Sequence, residues 1–451
     1  MRPTSKTIPK RFPVVLEDRI LYWMQKSHCS NFGIIAKFRG HLDFDRLQKA
    51  MRLCLDAEPI LGCRFVNRPG RQYWERLPDL DAQEICTLTL KSEFQGNPAR
   101  FLDTMPGIDV HKGPQARAWV LRDKTDILCL RINHVVGDGG GAKDLAYLLA
   151  DTYNRLESDP GYVPPSNSKG DRSLGQVIRH LNMRDYVGLC RRAFQDAYGF
   201  IKGRSPRNHP LPFCQPRGYS LLTRVVDPQR FAQLKAYGKS RGATVNDILV
   251  AAMLRSFYTV VNPDPEAFLR MVTTADLRRY IPGEQAEAVC NLSGFSYINM
   301  GQTLPDSFDS LLGLVSRTFS TLKQDYIGLG SIPLTAATFR TMPFSMGLWL
   351  HDLMGDFLKR RAASTGDVAL LFTNAGKINP EKFRFGNLPI SWAGVTATRS
   401  TPPVLTVCIS GFSDSLLITA GFCQSTLSET RAAMLLERLE HEMTLLEGKA
   451  V

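Results

Sequence analysis

Apolar positions in this chain recur at two spacings, and the alternation between them divides the sequence into elements. From Leu42 to Asp56, Phe44, Leu47, Met51 and Cys54 or Leu55 fall on one helical face, with Asp43 placed to cap it and Glu58-Pro59 to end it. Extended runs follow. Ile60 to Asn67 and Gln72 to Leu77 flank Arg68-Pro69-Gly70-Arg71, whose Pro-Gly pair predicts a hairpin turn. A second apolar pair, Gln115 to Arg122 and Asp126 to Asn133, flanks Asp123-Lys124-Thr125. Helical spacing returns from Ala142 to Leu156 at Leu145, Leu148, Leu149 and Tyr153, with Asp144 near the start. The stretch between, Asn133-His134-Val135-Val136-Gly137-Asp138-Gly139-Gly140-Gly141, therefore reads as a glycine loop joining a strand to a helix.

Turn formers are densest from Asp159 to Gly170, which makes that stretch the best boundary in the chain. A helical, basic segment from Leu174 to Lys202 and a Pro-rich stretch from Ser205 to Gly218 follow. Beyond them, Ser220 to Val226 reads as a strand, and Pro228 to Ser240 and Asn246 to Val261 as helices, the second capped by Thr244 or Asn246. Strand patterns recur at Arg270 to Thr274, Ser293 to Met300, Val368 to Asn374, Val404 to Ser410 and Ser415 to Phe422, before a final helix from Ser428 to Glu447. Pro343 to Leu358 is apolar but carries His351, Asp352 and Asp356, as expected of an amphipathic helix covering a core or a substrate channel. At 451 residues the chain exceeds one ordinary core, so two or three domains or a pair of fused halves are expected, divided as 1–170, a connection over 171–219, and 220–451.

Composition narrows the classes. With 43% hydrophobic and 22% charged residues the chain is globular rather than disordered. The net charge of +13 favours acidic partners, and 12 Lys/Arg against 3 Asp/Glu between Arg184 and Arg241 place 9 of the excess charges in one region. A phosphorylated cofactor, an acidic protein, an anionic membrane face or nucleic acid would each suit such a region, as would a solvated face with no partner. Ten cysteines without CxxC spacing predict reduced, buried thiols and neither a zinc site nor a disulfide framework. The first residues, MRPTSKTIPKRFPVV, contain no apolar signal core, and no later run has the length of a membrane span, so a cytoplasmic protein is expected.

Chemistry concentrates at His134 and Asp138. The glycines after Asp138 lack the GxxxxGK[ST] spacing of a phosphate loop, and no second His or Cys lies at zinc-ligand spacing. Two readings stay open on spacing alone: a tight turn with a satisfied core histidine, or a general base at a strand end. Asp138 could then orient the ring or hold the loop through a basic partner.

His134-x-x-x-Asp138-Gly139 after a strand resembles the HHxxxDG signature of the CoA-dependent acyltransferase superfamily, which includes nonribosomal peptide condensation domains and alcohol acetyltransferases. Further landmarks follow in family order: Asp43-x-Asp45-Arg46-Leu47-x-x-Ala50 with Glu58-Pro59-Ile60-Leu61, Ala243-Thr244-Val245-Asn246-Asp247, Thr274-Ala275-Asp276-Leu277-Arg278-Arg279 and Phe372-Thr373-Asn374-Ala375-Gly376-Lys377-Ile378. Asn133 stands where the first histidine of the signature would be, and Phe383 to Asn387 only weakly echoes the DFGWG of the plant members.

The resemblance implies an α/β (α+β) fold of two chloramphenicol-acetyltransferase-like sandwiches forming a V around a central channel. It implies His134 as the base moving an acyl group from a thioester to an alcohol or amine, and Asp138 braced by Arg278 with Gly139 packed beneath. Asn133, Ser293 and Asn374 are the implied substrate contacts. It implies no metal and no permanently bound cofactor, with acyl-CoA or a phosphopantetheine thioester as co-substrate. The implied partners are CoA or an acidic acyl or peptidyl carrier protein, and a small alcohol or amine acceptor. No nucleic acid is expected, while peripheral membrane contact and a monomeric state are. Two alternatives stand beside it: a free-standing enzyme condensing carrier-bound substrates into amides, and a non-catalytic thioester-binding or scaffold protein.

Overall fold

Three β-sheets and the helices laid over them organise the chain in the computed structural model, which describes residues 8–446 apart from 27, 30, 93–100, 203–217, 263–264, 266–268, 331 and 366–367. The first half is built on a five-stranded sheet in the order Ile390–Val395, Asn31–Phe38, Asp126–Asn133, Ala116–Arg122, Cys86–Leu90. Its neighbours are antiparallel except the last pair. The helices Phe44–Ala57 and Gly139–Ser158 pack on each other, burying Leu47, Met51 and Cys54 of one and Leu145, Leu149 and Tyr153 of the other. Each large apolar side chain so buried contributes about 1.5–3 kcal/mol. Asp43 caps the earlier helix as its position predicts, accepting the Arg46 amide at 3.1 Å.

The second half is an eight-stranded sheet with Ser293–Asn299 at one edge, followed by Arg270–Asp276, Ala369–Ile378, Val404–Phe412 and Ser415–Cys423. Tyr219–Val226 pairs with the last of these. Helix Val245–Val261 is buried on nearly every side, between Phe308–Gln324 and Glu429–Thr444, which explains why its sequence shows little polar face. Thr244 caps it in a reciprocal pair with Asp247. The hairpin Cys63–Arg68 with Arg71–Arg76 is joined by Arg11–Pro13 in a small third sheet.

The halves exchange strands. Ile390–Val395 leaves the second half to pair with Asn31–Phe38 in the first sheet, and His28–Cys29 pairs with Arg399–Ser400 in the second. Neither pairing is visible as a local pattern, because each strand finds its partner more than 350 residues away. Among the described residues no single helix is long and apolar enough to cross a membrane.

Three local expectations change. The glycines 139–141 form the first helical turn rather than a loop, since Asp138 caps the helix by accepting the Gly141 amide at 2.8 Å. Asp144 consequently falls in the second turn. The basic segment from Leu174 divides into Gly175–Ile178 and Met183–Lys202, where the Asn182 side chain accepts the Arg184 and Asp185 amides and starts a new helix. The apolar segment at Pro343 continues as a helix from Phe344 to Thr365 that covers protein on one side only. The Pro-rich stretch 205–217 lies outside the described residues.

Candidate active site

The strand Asp126–Asn133 ends in a turn that carries His134, and Asn133 shapes that turn. Its Oδ1 accepts the Val135 amide at 3.0 Å, and its Nδ2 donates to the Ile108 carbonyl at 3.2 Å. Asn31, directly opposite in the sheet register, accepts the Ile108 amide at 2.7 Å. Both ends of the Asn133 amide are thus engaged inside the protein, and the residue is 1% exposed. Asn133 holds the turn to the 108 loop, where a substrate contact was expected.

His134 faces Asn291, a residue that the sequence reading did not select. Its Nδ1 lies 3.3 Å from Asn291 Oδ1, while Asn291 Nδ2 donates to the Val135 carbonyl at 3.1 Å. Because the Asn291 amide nitrogen is committed to a carbonyl, its oxygen is what meets the imidazole. The contact therefore suits the tautomer in which Nδ1 donates and Nε2 carries the lone pair. Phe32 packs against the ring with centroids 4.7 Å apart. Burial lowers the His134 pKa below its ordinary 6.5, opposed by hydrogen bonds to backbone and Asn291 and by the charge of Asp138. Burial thus favours the neutral imidazole over the imidazolium.

Asp138 points away from this nitrogen-rich face into a brace. Its oxygens lie 3.0 and 3.1 Å from Arg278 Nη1, and Oδ2 accepts the Leu292 amide at 2.7 Å. Arg278 also reaches Asp276 at 3.2 Å and the Cys290 carbonyl at 3.3 Å. Despite burial, which alone would raise it, the Arg278 guanidinium and these hydrogen bonds hold the Asp138 carboxyl below its ordinary range. Among the glycines that follow Asp138 the tightest is Gly140 rather than Gly139. A β-carbon on Gly140 would overlap the Arg278 guanidinium, whereas one on Gly139 would meet Ala375 at an ordinary 3.8 Å.

A second clamp is supplied by Arg172. It forms a two-pronged pair with buried Asp18, at 2.9 Å to each oxygen, and donates to the Val136 carbonyl at 3.1 Å and the Val289 carbonyl at 3.0 Å. Trp74 completes the acceptor's set by donating Nε1 to Asp18 at 2.8 Å. Nothing in the turn-rich Gly170-Asp171-Arg172 stretch signals this role.

Between the halves lies a cavity of about 860 Å³, walled by Gly140, Lys143 and Asp144 from the first half and by Thr274, Arg278 and Asn374 from the second. His134 is not part of its wall. Lys143 donates to the Ala375 carbonyl across it at 3.0 Å, and Asn374 donates to Asn246 Oδ1 at 2.9 Å. Burial pushes Glu58 up to about 7 and Asp144 up to about 6 on the same wall. Ser293 is exposed on the outer edge strand, opposite Asp276, and lies outside the cavity wall. Strand alternation turns its side chain outward, two residues from the Asn291 that meets His134.

Among the described residues of the basic region, five basic side chains are drawn into separate ion pairs, while 203–217 lie outside the described residues. Arg191 and Arg192 meet Asp325, Arg224 meets Glu440, Lys235 meets Asp414 and Arg241 meets Asp309. Among the described residues, no three His, Cys, Asp or Glu side chains come together as a metal site would require.

No family model and no curated protein sequence matches the chain. Solved structures do. Polyketide synthase associated protein 5 from Mycobacterium tuberculosis aligns over 96% of this chain and 98% of its own at 16% identity and a TM-score of 0.65. The first condensation domain of the CDA synthetase aligns over 98% and 97% at 15% identity and 0.68. The trichothecene 15-O-acetyltransferase of Fusarium sporotrichioides aligns over 97% and 95% at 12% identity and 0.67. The chain has the two-halved α/β fold of condensation domains and acetyltransferases. That likeness spans the whole chain, and at these identities it speaks for the fold.

Proposed function

We propose that this protein is an acyltransferase that moves an acyl group from a thioester donor to an alcohol or amine, with His134 as general base. The observation that carries this reading is the His134–Asn291 contact: with Nδ1 as its donor, Nε2 is the unprotonated nitrogen, and burial favours the neutral ring. A neutral imidazole of fixed tautomer is what proton abstraction from a hydroxyl or amine requires. The full-length likeness to an acetyltransferase and to condensation domains supports the same class of reaction.

In this reading the acceptor's hydroxyl or amine gives its proton to His134 Nε2 as its heavy atom attacks the thioester carbonyl. The tetrahedral adduct collapses, the C–S bond breaks, and the imidazolium returns the proton to the leaving thiolate. General-base assistance of this kind supplies on the order of a hundred- to ten-thousand-fold, so alignment of the two substrates supplies much of the remainder. Asp138, Arg278 and Arg172 act on the turn and not on the substrate. In this reading Asn374 and Lys143 hold the part of the substrate that lies in the cavity between the halves, away from His134, which is not on its wall. The co-substrate is acyl-CoA or a carrier-bound phosphopantetheine thioester. The condensation domains among the structural neighbours are consistent with a carrier protein as a partner.

Thiol release from a panel of acyl-CoAs and acyl carrier proteins, with alcohol and amine acceptors, tests the assignment. Wild type should release thiol with at least one pair, and His134→Ala should lose about a hundredfold or more. Release that is equal in both proteins, or that no pair elicits, would overturn it.

A further inference from the structure

The helix Phe344–Thr365 has two unlike faces. Its inner face is seated on Leu16–Trp23: Phe344 is buried against Trp23, and Gly347 lies so close that a β-carbon there would overlap the indole. Arg19 fixes the start of the helix by donating to the Met342 carbonyl at 2.7 Å. The outer face is apolar, and none of the described residues covers it. Trp349 is 61%, Leu353 54%, Met354 57% and Phe357 56% exposed, and Met346 and Leu350 lie between them. With 3.6 residues per turn these six side chains form one continuous stripe, and the same stripe runs on into Arg360 and Arg361, both exposed. The acidic residues Asp352 and Asp356 fall on its flank. Met24, beside the helix on the neighbouring turn, is exposed as well.

An isolated exposed leucine is ordinary, but a stripe of six large apolar side chains on one helix marks a binding surface. The order of groups along it selects the partner. In a symmetric antiparallel pair with a second copy, Arg360 and Arg361 would face the positive amino-terminal end of the partner helix. In a parallel pair they would face each other. Both arrangements oppose like charge to like charge. A raised apolar stripe with tryptophan and phenylalanine in its middle and arginines at one end is instead complementary to the headgroup and acyl boundary of an anionic bilayer.

We propose that this outer face docks the protein on an anionic lipid surface, with Trp349, Leu353 and Phe357 at the acyl boundary and Arg360 and Arg361 against lipid phosphates. The helix lies in the plane of the surface and does not span it. The site is independent of the reaction assigned to His134.

Flotation of the full chain with phosphatidylcholine vesicles, plain or doped with phosphatidylserine, tests this. The doped vesicles should be bound in preference, with a blue shift of Trp349 fluorescence. Trp349→Ser/Phe357→Ser should weaken binding about tenfold or more, and Arg360→Glu/Arg361→Glu should abolish the preference for phosphatidylserine. Met434→Ser, at an exposed methionine on the last helix, should bind as wild type does. Circular dichroism melts verify that each variant is folded. Absence of binding to doped vesicles, equal binding by the Trp349→Ser/Phe357→Ser variant, or a dimer in sedimentation that this variant abolishes would overturn the proposal.

Discussion

Arg278 and Asp138 form a buried ion pair that joins the cap of the Gly139–Ser158 helix to the chain segment carrying Asn291, with Nη1 at 3.0 and 3.1 Å from the two carboxylate oxygens. The turn bearing His134 is thereby fixed to the residue that orients its ring. Removing one partner leaves the other charged and buried, so Arg278→Met should cost about 3–5 kcal/mol in denaturant unfolding. The double variant Asp138→Asn/Arg278→Met should cost less than the two single changes together, because the stranded charge is gone. The pair is also a pH sensor of known sign. Asp138 has a folded pKa below its ordinary 3.8, so its contribution is complete above 3.8 and is lost as pH falls through the folded value.

Asn291→Ala should reduce kcat by on the order of ten- to a hundredfold with a smaller change in KM, because the imidazole loses the acceptor that fixes its tautomer. Asn291→Asp restores an acceptor and adds a negative charge. It should recover part of the rate and shift the acid limb of the kcat/KM profile to higher pH, since the carboxylate favours the imidazolium. A side chain that served only to pack the turn would move stability but not this limb.

The pH profile of the wild type follows from the same geometry. Burial disfavours the imidazolium, so kcat/KM should rise with pH through an apparent pKa below 6.5 and be flat near neutrality. Pre-steady-state thiol release over pH 4.5 to 8, numbers set about the ordinary histidine value, reads this directly.

Gly140 and Gly139 should part company on substitution, although they are neighbours in one helical turn. Gly140→Ala drives a methyl group into a guanidinium that Asp138 holds in place, and should cost about 1–3 kcal/mol. Gly139→Ala finds room and gains helix propensity of up to about 1 kcal/mol, so its melting temperature should be unchanged or higher.

The reach of the sequence can be judged from particular residues. Asp43, Thr244 and the strand Asp126–Asn133 were legible because caps and apolar alternation are local: the residues that form them lie within a few positions of one another. Asp138 and Arg278 were legible as a pair only through resemblance to a family. Asn291 was not, since it lies in irregular chain just ahead of an edge strand, 157 residues from the histidine it orients, and Ser293 two residues on had no less to recommend it. The interior strand Asn31–Phe38 carries no such signal for a related reason. It is buried on nearly every position and so lacks the alternation that marks a strand with one wet face.

What the sequence determined by itself was therefore the inventory: two αβ halves, the elements with local signals, and a histidine at the end of a strand. The tertiary structure decided which groups meet. It brought Asn291 to His134, turned Asn133 inward to Ile108, and began the helix at Gly139 because the Asp138 carboxylate reached the Gly141 amide. It also left one face of Phe344–Thr365 uncovered by the described residues. Hydrogen bonds and ion pairs between distant segments depend on where the sheets bring the backbone. No local pattern carries that information.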